Sequence, residues 1–133
     1  MPTHEKLPIR TQNDIVLVRR EVRAVAAKIG LGIIDQTKVV TAASELARNT
    51  LDYGGGGEVE IETLQNEAQR VGLRLIFSDQ GPGIPDIELA LTDGYTTGGG
   101  LGMGMSGSKR LMSDFKVETE VGKGTRVITT KWK

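Results

Sequence analysis

Cysteine is missing from the chain altogether. That removes a thiol nucleophile, a thiolate zinc site and a disulfide framework. An excess of one charge is missing too: 17 Lys and Arg balance 17 Asp and Glu. A nucleic-acid binder that works through a basic field needs clustered cations, so no nucleic-acid partner is expected. No apolar run approaches the roughly 18 residues of a membrane span, and the opening MPTHEKLPIR lacks the apolar stretch of a signal peptide. No membrane association and a cytoplasmic location are the default expectation. Histidine is nearly absent. The single one, His4, is placed in an N-terminal tail, without the surrounding helix that a phosphoaccepting histidine would need.

What remains is an ordinary globular mixture, 38% apolar and 26% charged, in 133 residues. That length suits one domain over 1–133 and can bury roughly two thirds of its unfolded surface. Glycine stands out: there are 18, bunched at Gly54–Gly57 and from Gly94 to Gly107. Such clusters mark tight turns or close approach to a ligand. The run at 54–57 is read as a flexible loop that ends a helix.

Periodicity places the elements. Residues 7–11 read as a short first strand. Asn13 to Ile29 reads as an amphipathic helix, with Ile15, Val18, Val22, Val25, Ala26 and Ile29 on one side and Asn13 as N-cap. A second helix runs from Asp35, its cap, to Tyr53. Alternation predicts strands at 58–64 and 72–78, joined as a hairpin across the polar spacer 65–70. A short helix is drawn over Asp86 to Leu91, and a third long one from Gly102–Gly104 to Asp114. Strands Phe115–Val121 and Thr125–Trp132 form a second hairpin across Gly122-Lys123-Gly124. Helices with antiparallel hairpins, and no regular strand–helix alternation, give an α+β class. The expected architecture is a two-layer α/β sandwich, its sheet mixed but mostly antiparallel, with helices on one face.

Three segments carry chemistry. Glu45 and Asn49 lie four apart on the second helix and share a face. A carboxylate there can take a hydroxyl proton, and an Asn oxygen is a hard, neutral ligand for Mg2+. Read on spacing alone, the pair is better taken as a solvated surface with Arg48 as counter-charge. Asp79-Gln80-Gly81-Pro82-Gly83 follows directly on an apolar strand. An ionised Asp only accepts, so it can receive an exocyclic amine such as that of adenine. Read alone, this is equally a tight turn. Gly98 to Gly107 precedes a helix, where packed amides and about half a positive charge can hold phosphate. Its G-x-G-x-x-G at Gly102, Gly104 and Gly107 is a weak match, and neither a Rossmann unit nor a Walker A loop fits around it.

The order of these segments resembles the GHKL ATPase and kinase superfamily (gyrase, Hsp90, histidine kinases, MutL). Glu45 and Asn49 match its N box, Asp79, Gly81 and Gly83 its first glycine box, and Gly98 to Gly104 its second. Thr125 matches the threonine that supports the adenine-binding Asp. Within the superfamily the chain is most similar to the small RsbT-, RsbW- and SpoIIAB-like serine/threonine kinases, and among these to the RsbT-like group. TAASELARN, SDQGPGIPDIELALTDGYTTGGGLGMG and SGSKRLMSDF carry that likeness.

The resemblance implies a GHKL (Bergerat) ATP-binding fold and a kinase that transfers the γ-phosphate of Mg-ATP to a Ser or Thr of a STAS-domain protein. The implied partners are RsbS/RsbR-like stressosome components. On release, the kinase would activate a PP2C-type, RsbU-like phosphatase. It also implies the roles: Glu45 as catalytic base, Asn49 on Mg2+, and Asp79 on adenine with Thr125 beside it. The amides of Gly98, Gly99, Gly100, Leu101, Gly102, Met103 and Gly104 would hold phosphates, with Arg48 and Lys109 within reach. Met103 and Met105 read as packing at the lid. The rival readings are a nucleotide-gated, anti-sigma-type binder with little catalysis and a stand-alone ATPase.

Overall fold

The structure is a computed structural model that describes residues 4–81, 83 and 105–133. In chain order it contains β1 (His4–Ile9), α1 (Gln12–Lys28), α2 (Ile33–Asp52), β2 (Gly57–Gln65), β3 (Val71–Asp79), α3 (Met105–Leu111), β4 (Asp114–Glu120) and β5 (Gly124–Trp132). The expected helix over 86–91 lies outside the described residues.

Alternation in β2 and β3 puts Val59, Ile61, Leu73, Leu75 and Phe77 on one face. All are 2% exposed or less. The five strands form a sheet in the order β1-β2-β3-β5-β4, and all four described pairings are antiparallel. The apolar stripes of α1 (Ile15, Val18, Val22, Val25, Ala26) and α2 (Val39, Val40, Ala43, Leu46, Ala47) cover that face, and together they make the core. This is the expected α+β sandwich with helices on one side of the sheet. Burying a Val, Leu or Phe side chain contributes about 1.5–3 kcal/mol, so these stripes decide which way each element faces.

Several boundaries differ from the expectation. The first strand is His4–Ile9, not 7–11, so His4 belongs to the sheet rather than to a tail. Its polar start conceals the strand, which is held by pairing with β2. The N-cap of α1 is Thr11, not Asn13. The Thr11 hydroxyl accepts from the Asp14 amide at 3.1 Å, and the Asp14 carboxylate accepts from the Thr11 amide at 3.1 Å. This reciprocal capping box outcompetes a lone Asn cap. Helix α2 starts two residues before Asp35, capped by Gly32 without a side-chain bond. Helix α3 stops at Leu111, not Asp114, because Ser113 already donates to the Thr130 carbonyl at 2.9 Å and Asp114 opens β4.

Candidate functional site

Strand β3 places Asp79 last in the row Leu73, Leu75, Phe77, on the helix-facing side of the sheet, directly opposite Thr125 in β5. Asp79 Oδ1 accepts two backbone N–H groups, from Gly81 at 2.9 Å and from Thr125 at 3.3 Å. Among the described residues Oδ2 has no hydrogen-bond partner. Burial pushes the Asp79 carboxyl above the ordinary aspartate value, and the Gly81 and Thr125 amides pull it part of the way back. A half-buried carboxylate oxygen without a hydrogen-bond partner can accept from a neutral N–H donor. The Thr125 hydroxyl itself bonds to the Thr119 hydroxyl at 2.9 Å, a partner that sequence reasoning misses.

The glycines around Asp79 are there for space. Gly54, just past α2, lies so close that a Cβ on it would overlap the Asp79 side chain. Gly124, at φ 111°, leaves no room for a Cβ beside the Asp79 carbonyl. Gly81 meets the Gly54 backbone, and the buried Gly83 turns with φ 79° against the Glu120 carbonyl. The run Gly54–Gly57 is therefore not a loose loop. It is where the end of α2 presses against the end of β3. A bunch of glycines directly after the helix carrying Asn49 was the available signal.

The same contact brings α2 to the site. The Asn49 carbonyl accepts from the amides of Tyr53 and Gly54 at 3.0 and 3.2 Å, so the last turn of α2 abuts Asp79 through Gly54. Asn49 is half-buried. Glu45 lies one turn further back, about 6 Å along the axis. It receives a 2.9 Å hydrogen bond from Arg48, with the two side chains 31% and 47% exposed. Arg48 is thus the counter-charge of Glu45. Lys109 is exposed on α3. The stretch expected to bind phosphate, Gly98, Gly99, Gly100, Leu101, Gly102, Met103 and Gly104, lies outside the described residues.

Two clefts adjoin Asp79. One of about 460 Å3 runs over Arg10, Gly54–Gly57, Ser78 and Gln80. Another of about 380 Å3 runs over Gln80, Thr119, Lys123 and Thr125. Each is in the size range of a small-ligand site. Neither is lined by Glu45 or Asn49.

Known proteins resemble this chain in sequence and in fold. The histidine kinase-, DNA gyrase B- and HSP90-like ATPase family model matches residues 34–133. The serine/threonine-protein kinase RsbT of Bacillus subtilis is 46% identical over 124 residues, spanning 93% of this chain and 92% of its own. An anti-sigma F factor of Clostridium kluyveri is 31% identical over 125 residues, 92% of this chain and 87% of its own. The crystal structure of the RsbU and RsbW domains of a Mycobacterium tuberculosis protein matches in fold, with a TM-score of 0.63 at 20% identity. That match covers 98% of this chain but only 32%, about a third, of the other. The chain belongs to the histidine kinase-, DNA gyrase B- and HSP90-like ATPase family, in its RsbT-like branch.

Proposed function

We propose that this chain is an ATP-dependent protein serine/threonine kinase of a partner-switching module. The observation that carries it is Asp79: one oxygen is fixed by the Gly81 and Thr125 amides and the other is without a hydrogen-bond partner among the described residues, on the helix-facing side of the sheet, next to the turn bearing Asn49. Family membership and the 46% identity to a kinase support the same reading. The phosphoacceptor would be a Ser or Thr of a STAS-domain protein of the RsbS or RsbR kind. The released kinase would then activate a PP2C-type, RsbU-like phosphatase.

In this reading the open Asp79 oxygen accepts the adenine amine, with Thr125 completing the contact. The amides of 98–104 hold the phosphates. The donor set on α2, an amide oxygen with a carboxylate one turn away, suits a hard cation. Asn49 would hold Mg2+, which supplies neutralisation of the triphosphate charge. Glu45 takes the proton of the attacking hydroxyl. For that it must exchange its Arg48 partner for the substrate, which frees Arg48 to turn toward phosphate. Lys109 provides a further cation. Phosphoryl transfer asks mostly for alignment and charge neutralisation, and this inventory supplies both.

The test is transfer of labelled γ-phosphate to a STAS-domain protein. Glu45→Ala should slow it about a hundredfold or more, the scale of a lost general base, and Asn49→Ala should abolish it. The likeness to anti-sigma F factors favours a second reading, a nucleotide-gated binder. Partner capture that depends on ATP but never labels the partner would establish that reading and refute the kinase.

A further inference from the structure

The outer face of the sheet, away from the helices, carries a donor cluster that the kinase reading leaves unused. His4 stands directly opposite Glu62 across β1 and β2, and Glu60 is the next outward residue along β2. His4 Nε2 lies 3.0 Å from Glu60 Oε1 and 3.9 Å from Glu62 Oε1, and the three donor atoms all fall within 4.8 Å of one another. The two Glu side chains are only about a fifth exposed, whereas His4 is open to solvent.

We propose that His4, Glu60 and Glu62 form a binding site for a borderline divalent cation of the Zn2+ type, with water in the remaining positions. Ligands at about 2.0–2.2 Å from zinc stand about 3–3.5 Å apart, so the observed spacings need only small side-chain adjustments. One imidazole and two carboxylates are donors such a cation accepts. Glu62 is also fixed from behind. Arg74 donates to its Oε2 from Nε at 3.1 Å and Nη2 at 2.6 Å, leaving Oε1 turned to His4. An outer partner that fixes a ligating carboxylate in this way is a regular feature of metal sites. The chain has no cysteine and no other histidine, so a cation that seeks an imidazole or a thiolate can find one only at His4. Among the described residues this is the one such cluster.

The site is separate from the nucleotide. Arg74, opposite Glu62, is five residues from Asp79 along β3, about 17 Å of strand. A bound cation would clip the edge strand β1 to β2 at the far end of the sheet.

The experiment is calorimetric titration of ZnCl2 into the full chain, freed of metal and nucleotide. Co2+ absorption serves as the reporter of imidazole ligation. One ion per chain is expected. His4→Ala and Glu60→Gln should each weaken binding about tenfold or more, while Glu67→Gln, on the β2–β3 loop, changes nothing. Zinc should raise the melting temperature of the wild type but not of His4→Ala. Phosphotransfer by His4→Ala in excess Mg2+ should stay at the wild-type level. Equal zinc affinity in His4→Ala, or no binding at millimolar zinc, overturns the proposal.

Discussion

The Asp79 carboxylate takes two backbone N–H groups at one oxygen, yet burial still raises its proton affinity above the ordinary value. The folded state therefore holds this proton more tightly than the unfolded chain does. Below the ordinary carboxylate pKa the group is neutral in both states and costs nothing. As pH rises through the raised folded value that advantage is lost, so at neutral pH the charge destabilises the fold. Asp79→Asn keeps an amide oxygen for the Gly81 and Thr125 bonds and removes the charge. It should melt no lower than wild type at neutral pH, with the difference shrinking on acidification. In the proposed site the same change would set an NH2 group against the adenine amine. A hydrogen bond to a charged group is worth about 1.5–3 kcal/mol, so nucleotide affinity should fall about ten- to a hundredfold. Scanning and titration calorimetry on one variant would read both signs, and unchanged affinity would remove adenine from Asp79. Ser108 offers a simpler case. Its hydroxyl is unpaired among the described residues, and the residue is 1% exposed. Ser108→Ala should stabilise by about 1 kcal/mol, visible as a rise in melting temperature of about 4 °C.

Where α2 meets β3, two elements come closer than side chains permit. Gly54→Ala would drive a methyl group into Asp79, whose Cβ is 2.5 Å from the position it would take. Overpacking of this kind costs about 1–3 kcal/mol. Denaturant unfolding should show that loss, together with weaker nucleotide binding, because Asp79 is what moves. This contact also marks the limit of what the sequence discloses. The stripes of α1 and α2 and the alternation in β2 to β5 could be read because burial repeats with the period of the element. The turn that follows Asp79 is local and could be read as well. The ends were harder. Thr11 wins over Asn13 through a reciprocal bond to Asp14, and β1 exists only because β2 offers it an edge. Gly54–Gly57 misleads for a deeper reason. A loose loop and a backbone pressed against a neighbour have the same composition, and only the opposite strand tells them apart. Glu45 shows the converse: spacing alone favoured a surface ion pair over a base, and the structure has it on Arg48.

Taken whole, the molecule is a helical layer over a sheet, and the proposed nucleotide site straddles the two at one end. Asp79 and Thr125 come from the sheet, and Asn49 comes from the last turn of α2. A ligand held by both layers binds the folded chain and not the unfolded one, so it stabilises by mass action. At a hundredfold excess over Kd this amounts to about 2.7 kcal/mol. For 133 residues the entropy of unfolding converts that to a rise of about 10 °C. The layers can be tested separately. ATP with EDTA should engage Asp79 and Thr125 alone and give a smaller rise, while Mg2+ without nucleotide should give almost none, since a neutral Asn holds a cation weakly until phosphate joins it. Asn49→Ala should show the EDTA-sized rise even with Mg2+ present, and Asp79→Asn should need far more ATP to move at all. If chelation left the wild-type rise unchanged, Asn49 would hold no cation, and the helical layer would have no part in binding ATP.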